Sequence, residues 1–430
     1  MNATVSALRR FAQKAIIATA LTGMLASPAA AETVYVKAAR LLDVESGKYI
    51  ANPLITVTDG KVASIDSGKA APADASLIDL GEDTILPGLI DMHVHLDGRP
   101  EYGGYNSLQF TDSFWAVLGA VNARKMLDHG FTSVRNVGDQ NYDVEGAKEA
   151  IEEGWTQGPR ITTANYALGA TGGHCDDTGF PPSMDKKSPA VADSPDEFRQ
   201  RVREMKKYGA GVIKICATGG VFSHGDTPGQ QQMTFEELKA VTDEAHMVGL
   251  KVAAHAHGAE GIKAAIRAGI DTIEHASLVD DEGIELAKQH GTWFTMDIFN
   301  TEYTQSEGKK NGVLEENLQK DRDIAQIQRD NFRKAFKAGV KMLFGTDAGV
   351  MPQETSAGQF KYMVQYGMTP LDAIRAATIN AGDALDQKGQ VGVLKPGAWA
   401  DIVAVKGDPL SDVTVLEHVD KVIKGGVPVG

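Results

Sequence analysis

The sequence predicts an α/β protein: a (β/α)8 TIM barrel with a small β-sandwich built from both chain ends. Three observations predict it. From about residue 88 the chain repeats an apolar strand, a loop and an amphipathic helix. Strand candidates fall at 89–95, 132–137, 160–165, 211–216, 250–255, 270–275, 292–297 and 340–346. Eight strands alternating with helices is the pattern of such a barrel. Several strands also follow a glycine-containing helix exit, at His129-Gly130, Tyr208-Gly209, Gly249, Gly269 and Gly339. Finally, the flanking segments 32–87 and 388–430 carry short strand patterns and no long helical period. An open doubly wound sheet fits less well, because no glycine-rich dinucleotide loop is present.

Residues 1–31 stand apart from this body. Arg9, Arg10 and Lys14 precede the apolar stretch Ala15 to Leu25, and Ala29-Ala30-Ala31 offers a cleavage site before Glu32. That is the pattern of a secretory signal peptide, and it predicts an exported protein, periplasmic or secreted. The apolar stretch is too short to span a bilayer, and no later candidate appears, so no membrane partner is expected after cleavage. The whole chain carries a formal charge of −14, and its first 31 residues hold only basic charges. The acidic remainder argues against nucleic acid or anionic lipid as a partner. Two cysteines, Cys175 and Cys216, make no disulfide framework, and whether they pair is open.

Segment 32–87 begins with strand patterns Thr33–Val36 and Leu54–Val57, with Asp59-Gly60 as a turn. It is expected to meet strands around 401–405 and 420–424 in one composite domain, with residues 88–387 as the barrel. Helical stretches lie at 113–129, 195–208, 234–248 and 321–338, and two long loops at 166–194 and 298–320.

The chemistry lies at the strand ends. His93 and His95, one residue apart on a strand, face the same way. Lys214 sits between Ile213 and Ile215 and points opposite to both. His255, His275 and Asp347 each end a strand candidate. In one parallel barrel these six side chains converge at the C-terminal mouth. Imidazoles and a carboxylate suit zinc and similar divalent ions. Six ligands exceed one catalytic zinc and suit two divalent metal ions, Zn2+ by donor type. Burial pushes a lysine toward its neutral amine, which can add carbon dioxide. The carbamylated Lys214 so formed bridges both ions. A water between them loses its proton near neutral pH, and Asp347 serves as general acid and base. The chemistry is hydrolysis of an amide or related bond.

His93-Val94-His95, Lys214, His255, His275 and Asp347 resemble, in order, the ligand pattern of the amidohydrolase superfamily. Gly392-Val393-Leu394-Lys395-Pro396-Gly397 is similar to its C-terminal signature. The resemblance implies that His93, His95 and Asp347 hold the more buried metal and His255 and His275 the second, bridged by Lys214. Thr171-Gly172-Gly173-His174, Lys214 to Gly220 and His255-Ala256-His257-Gly258 are similar to the branch of imidazolonepropionase-related peptidases. That branch includes Xaa-Pro dipeptidases and ochratoxin-hydrolysing amidohydrolases. It implies a dipeptide or small-molecule N-acyl amino acid substrate with a free carboxylate, and a homo-oligomer, often an octamer. Imidazolonepropionase itself suggests the alternative of a cyclic amide or lactone.

Four further side chains are expected near the substrate. His174 is expected to touch its carbonyl or carboxylate. Phe222 and His224 follow the lysine strand and could line the pocket. His257 shares a face with His255 and could orient a ligand or merely sit satisfied. Arg135, inward-facing on its strand, is read as a structural ion pair in preference to a substrate anchor.

Overall fold

The structure, a computed structural model, describes residues 33–430; the signal-peptide expectation for 1–31 lies outside the described residues. Parallel strands form its centre: Leu89–Val94, Phe131–Asn136, Arg160–Thr163, Val212–Cys216, Lys251–Gly258, Thr272–Leu278, Trp293–Thr295 and Lys341–Leu343. They are apolar and buried on both faces, as parallel strands covered by helices must be. All eight expected positions are occupied, within a few residues.

The strands divide into two sheets and not one uninterrupted ring. The first three pair with one another, and the other five pair in chain order. Hydrogen bonds nevertheless cross both seams. Gly211 N donates to Thr163 O at 2.9 Å and Cys216 N to Leu168 O at 2.9 Å. On the other side Met92 N donates to Phe344 O at 2.9 Å and His95 N to Ala348 O at 2.7 Å. These partners lie where the backbone leaves regular pairing. Asn165 and Asp347 have φ of 59° and 58°, which breaks the ladder beside them.

Helices Asp112–Asp128, Pro195–Lys207 and Phe235–Met247 match expectation. The last starts in a capping box, in which the Thr234 hydroxyl accepts from Glu237 N and the Glu237 carboxylate accepts from Thr234 N. The fourth expected helix begins earlier, at Glu315, and runs to Ala338. It ends on Gly339 at φ 87°, where a side chain would strain the turn. Segment 298–320 is therefore not one polar loop, since Asn300–Glu307 is also helical. Polar composition hid these helices, which bury only a few residues on one side. Segment 166–194 is irregular apart from a short 3-10 turn at Pro182–Met184. A bond between Cys175 and Cys216 ties it to the fourth strand.

Outside the central strands lie two small sheets. One contains Thr33–Lys37, Pro53–Thr58, Lys61–Ser67 and Ser76–Asp79. The other joins strands from both chain ends, with Ile402–Val405 pairing antiparallel to Thr84–Pro87 and to Val419–Lys424. Val36, Ile55, Val57, Ile85, Ile402 and Ile423 form one apolar cluster between them. Asp401 links this unit to the central strands. Its carboxylate accepts from Arg160 Nε and a terminal guanidinium nitrogen, both at 3.2 Å, and from Gly425 N at 2.7 Å. Arg160 also lies 4.0 Å from the Trp399 ring centroid. Asp401→Ala strands a backbone donor and a largely covered guanidinium, and is expected to cost about 2–3 kcal/mol. The midpoint of urea unfolding measures it; an unchanged midpoint would mean that other contacts hold the two parts together.

Candidate functional site

The six predicted ligands reach one cavity. His93 lies near the end of the first strand, and His95 lies just past it. Lys214, His255 and His275 lie in the fourth, fifth and sixth strands. Asp347 follows the eighth, beyond Gly345 and Thr346. All line a cavity of about 900 Å³, with His174, His257, Phe222 and Asp297.

The fifth and sixth strands continue past His255 and His275, so these residues lie within strands and not at their ends. Simple alternation would aim Glu274 inward with Thr272 and turn His275 away. The backbone prevents that: His275 and Ala276 take φ of 69° and 48°. Left-handed backbone at non-glycine residues costs energy and persists where the surroundings impose it. Here it lets Glu274 and His275 both reach the interior.

Nε2 of His93 and Nε2 of His95 each lie 3.3 Å from Asp347 Oδ1. The other ring nitrogens are occupied. His93 Nδ1 lies 3.0 Å from Glu274 Oε2, and His95 Nδ1 donates to Gly138 O at 2.8 Å. His275 Nδ1 donates to Asp297 Oδ1 at 2.9 Å, and His257 Nδ1 pairs with Ser277 Oγ at 2.8 Å. Such partners fix which nitrogen remains for a ligand and where it points. His255 Nε2 lies 3.2 Å from Gly219 O.

Two groups bring ligand atoms within 4.8 Å of one another: His93, His275 and Asp347, and His255, His257 and His275. His257 therefore stands in the cluster itself, and His275 belongs to both groups. Burial, then the neighbouring imidazoles and Lys214, hold His255 and His257 well below the usual imidazole range. Neutral, buried imidazoles are metal donors. Burial also lowers Lys214 to about 8, against the pull of Glu274 and Asp347. No carboxylate among the described residues lies within salt-bridge distance of its Nζ. A buried amine without an ion pair, amid neutral imidazoles and an ionised Asp347, is the donor set that a divalent metal fits.

His174 stacks on His255, with ring centroids 4.1 Å apart and planes at 23°. Phe222 lines the cavity and is 42% exposed. His224 is turned away: its Nδ1 bonds Glu316 Oε1 at 2.5 Å, and it is not among the cavity-lining residues. Arg135 forms a buried ion pair with Glu274 at 2.7 Å and also donates to Met92 O and Thr272 Oγ1. Sequence reasoning missed Glu274 and Asp297. Adjacency to His275 was a signal for the first; nothing local marks the second. Cys175, beside His174, is bonded to Cys216, two residues from Lys214.

The sequence pattern of the Amidohydrolase family matches residues 84–429. The ochratoxinase of Aspergillus niger is 33% identical over 419 residues, covering 90% of this chain and 85% of that enzyme. The imidazolonepropionase of Cutibacterium acnes is 24% identical, covering 83% of this chain and 84% of its own. Among solved structures, a Xaa-Pro dipeptidase with bound methionine in the active site superposes with a TM-score of 0.87 at 36% identity. That match covers 92% of this chain and 99% of the dipeptidase. The chain belongs to the amidohydrolase family and is a hydrolase of carbon–nitrogen bonds.

Glu274→Gln removes the charge that faces Arg135 and disturbs the partner of His93. Expected outcomes are a stability loss of about 3–5 kcal/mol, from the unpaired buried guanidinium, and about 10- to 100-fold weaker metal retention. Thermal unfolding and metal content after dialysis against graded chelator measure them. Wild-type metal retention would refute the orienting role.

Proposed function

We propose that this chain is a binuclear metal-dependent amidohydrolase. It cleaves the amide bond of dipeptides or N-acyl amino acids that carry a free C-terminal carboxylate, of Xaa-Pro or N-acyl-Phe type, ochratoxin A included. The observation that carries the reading is the convergence of His93, His95, His255, His275 and Asp347 around the buried, unpaired Lys214. The seam hydrogen bonds described above support a closed (β/α)8 barrel beneath it, and the cluster shared by the two small sheets supports a β-sandwich.

His93, His95 and Asp347 would hold one ion, and His255 and His275 the other, with His257 close enough to join them. Two divalent ions, zinc by donor type, would supply the Lewis acidity that polarises the scissile carbonyl and acidifies a water. Lys214, lowered to about 8, keeps a usable fraction of neutral amine. That amine adds carbon dioxide to form a carbamate and releases one proton, giving two oxygens where an ammonium would repel the metals. Asp347 takes the proton of the attacking water and passes it to the leaving nitrogen. Asp297 and Glu274 hold His275 and His93 in place meanwhile.

A free carboxylate requires a cation. Arg99 lines the cavity but is engaged by Glu101 and Glu354. Lys186 and Lys187 line it too, on the loop that carries His174, and neither forms an ion pair among the described residues. The Xaa-Pro dipeptidase neighbour holds methionine in its active site, which supports an amino acid as one product. Export and homo-oligomer assembly belong to the same proposal; Val117 and Val121, four apart on one exposed helix face, offer apolar surface for the second.

Hydrolysis of Xaa-Pro, Xaa-Phe and N-acyl-Phe compounds by the metal-loaded protein tests the reading, beside the same compounds with amidated C-termini. Strongly preferential turnover of the free acids is expected. Turnover of no linear amide would pass the site to cyclic amides or lactones. Asp347→Asn is expected to lower kcat about 10²- to 10⁴-fold, and undiminished turnover would sink the mechanism. Lys186→Ala with Lys187→Ala is expected to raise KM for free acids while leaving residual amide turnover unmoved. An equal change in both would exclude these lysines as the carboxylate partner.

A further inference from the structure

His174 rests on a chain of hydrogen bonds that runs away from the metal ligands. Its Nδ1 lies 2.9 Å from Ser223 Oγ. Ser223 Oγ lies 2.7 Å and 2.8 Å from the two oxygens of Asp226. Asp226 also accepts from Lys320 Nζ at 2.9 Å and from Gln232 Nε2 at 2.8 Å. Gln232 Oε1 in turn accepts from His174 N at 2.8 Å. Ser223 and Asp226 are both buried. The serine therefore meets the histidine on one side and a carboxylate held by an ammonium and an amide on the other.

Counting protons along the chain settles the directions. Asp226, paired with the Lys320 ammonium, is ionised and only accepts. Its bond to Ser223 must use the single hydroxyl proton. Ser223 Oγ then has only lone pairs left for His174, so His174 Nδ1 carries the proton and donates. Gly220 N, 3.3 Å from Ser223 Oγ, adds a donor to the same oxygen. Nε2, on the other side of the ring, makes no hydrogen bond with any described residue. The ring has little room to turn: it stacks on His255, and a Cβ at Gly220 would lie 2.2 Å from its Cε1, so only glycine permits the approach.

We propose that Asp226, acting through Ser223, is a positioning residue that holds the His174 ring by its Nδ1 and leaves Nε2 for the reacting groups in the cavity. The inference rests on the reading of the cavity as an amidohydrolase site.

A double-mutant cycle in the metal-loaded enzyme tests it, with kcat and KM measured on one substrate that the wild type turns over. Ser223→Ala and Asp226→Asn are each expected to lower kcat about 10- to 100-fold, with KM nearly constant, the scale found when a group that orients a ligand is lost. In the His174→Ala background neither is expected to cost anything further. Penalties that simply add in that background would assign Ser223 and Asp226 a structural role and overturn the proposal. A His174→Ala enzyme that is crippled beside wild-type Ser223→Ala and Asp226→Asn enzymes would overturn it while leaving the amidohydrolase reading intact. Undiminished turnover by His174→Ala would overturn it as well, since there would be nothing to position. Ser223→Ala keeps the Lys320–Asp226 pair, so it decides the matter should Asp226→Asn fail to fold.

Discussion

One buried carboxylate organises the interior. Glu274 receives Arg135 on one oxygen and His93 on the other, with Thr272 beside it. Arg135 also holds Met92 O, so one ion pair connects the first, second and sixth strands. Burial alone would push the Glu274 carboxyl up, but Arg135 and His93 hold it well below the usual carboxylate range. An ion pair this deep adds little net stability over an apolar pair of the same volume. What it contributes is direction: His93 must keep its Nδ1 on Glu274 and its Nε2 toward Asp347. The candidate metal site is built on that constraint.

The rest of the cluster follows the same logic with other partners. Asp297 does for His275 what Glu274 does for His93, and Gln328 supports Asp297 from the long helix Glu315–Ala338. Ser277 and Gly138 serve His257 and His95. Each imidazole has one nitrogen committed to the protein scaffold. Burial and the neighbouring imidazoles hold His255 and His257 well below the usual imidazole range, while Asp347 and Glu274 pull His93 up against its burial. Electrostatics thus prepares neutral donors at His255 and His257, where a doubly charged ion would be welcome.

Much of this was legible in the sequence because periodicity and side-chain chemistry coincide there. Apolar strand runs placed His93, His95, Lys214 and His255 at the C-terminal side of the strands, and the structure brings all four to one cavity with His275 and Asp347. Glu274, Asp297 and Asp226 escaped for a different reason. Their roles depend on contacts across the fold, from 22 positions away for Asp297 to 181 for Glu274 with His93, and no local pattern encodes such a distance. His257 was legible only as a neighbour of His255. The strand runs on to Gly258, which carries His257 into the cluster. His224 was misplaced because proximity in sequence to Lys214 says nothing about where a loop turns; it turns toward Glu316. The helices within 315–338 and 300–307 were under-read because their apolar stripe is narrow.

The bond between Cys175 and Cys216 bears most on a state in which none of these contacts exists. It joins the loop of His174 to the strand of Lys214 across 41 positions. In the unfolded chain that closure removes conformations the open chain would explore, a loss worth about 4 kcal/mol for a loop this long in the chain-entropy account. The irregular segment 166–194 offers few regular backbone ladders of its own. A covalent tie lets such a segment stay close to the site without a large apolar core beneath it. The loop's residues remain free to serve the cavity, while the entropy of ordering them is reduced before folding begins.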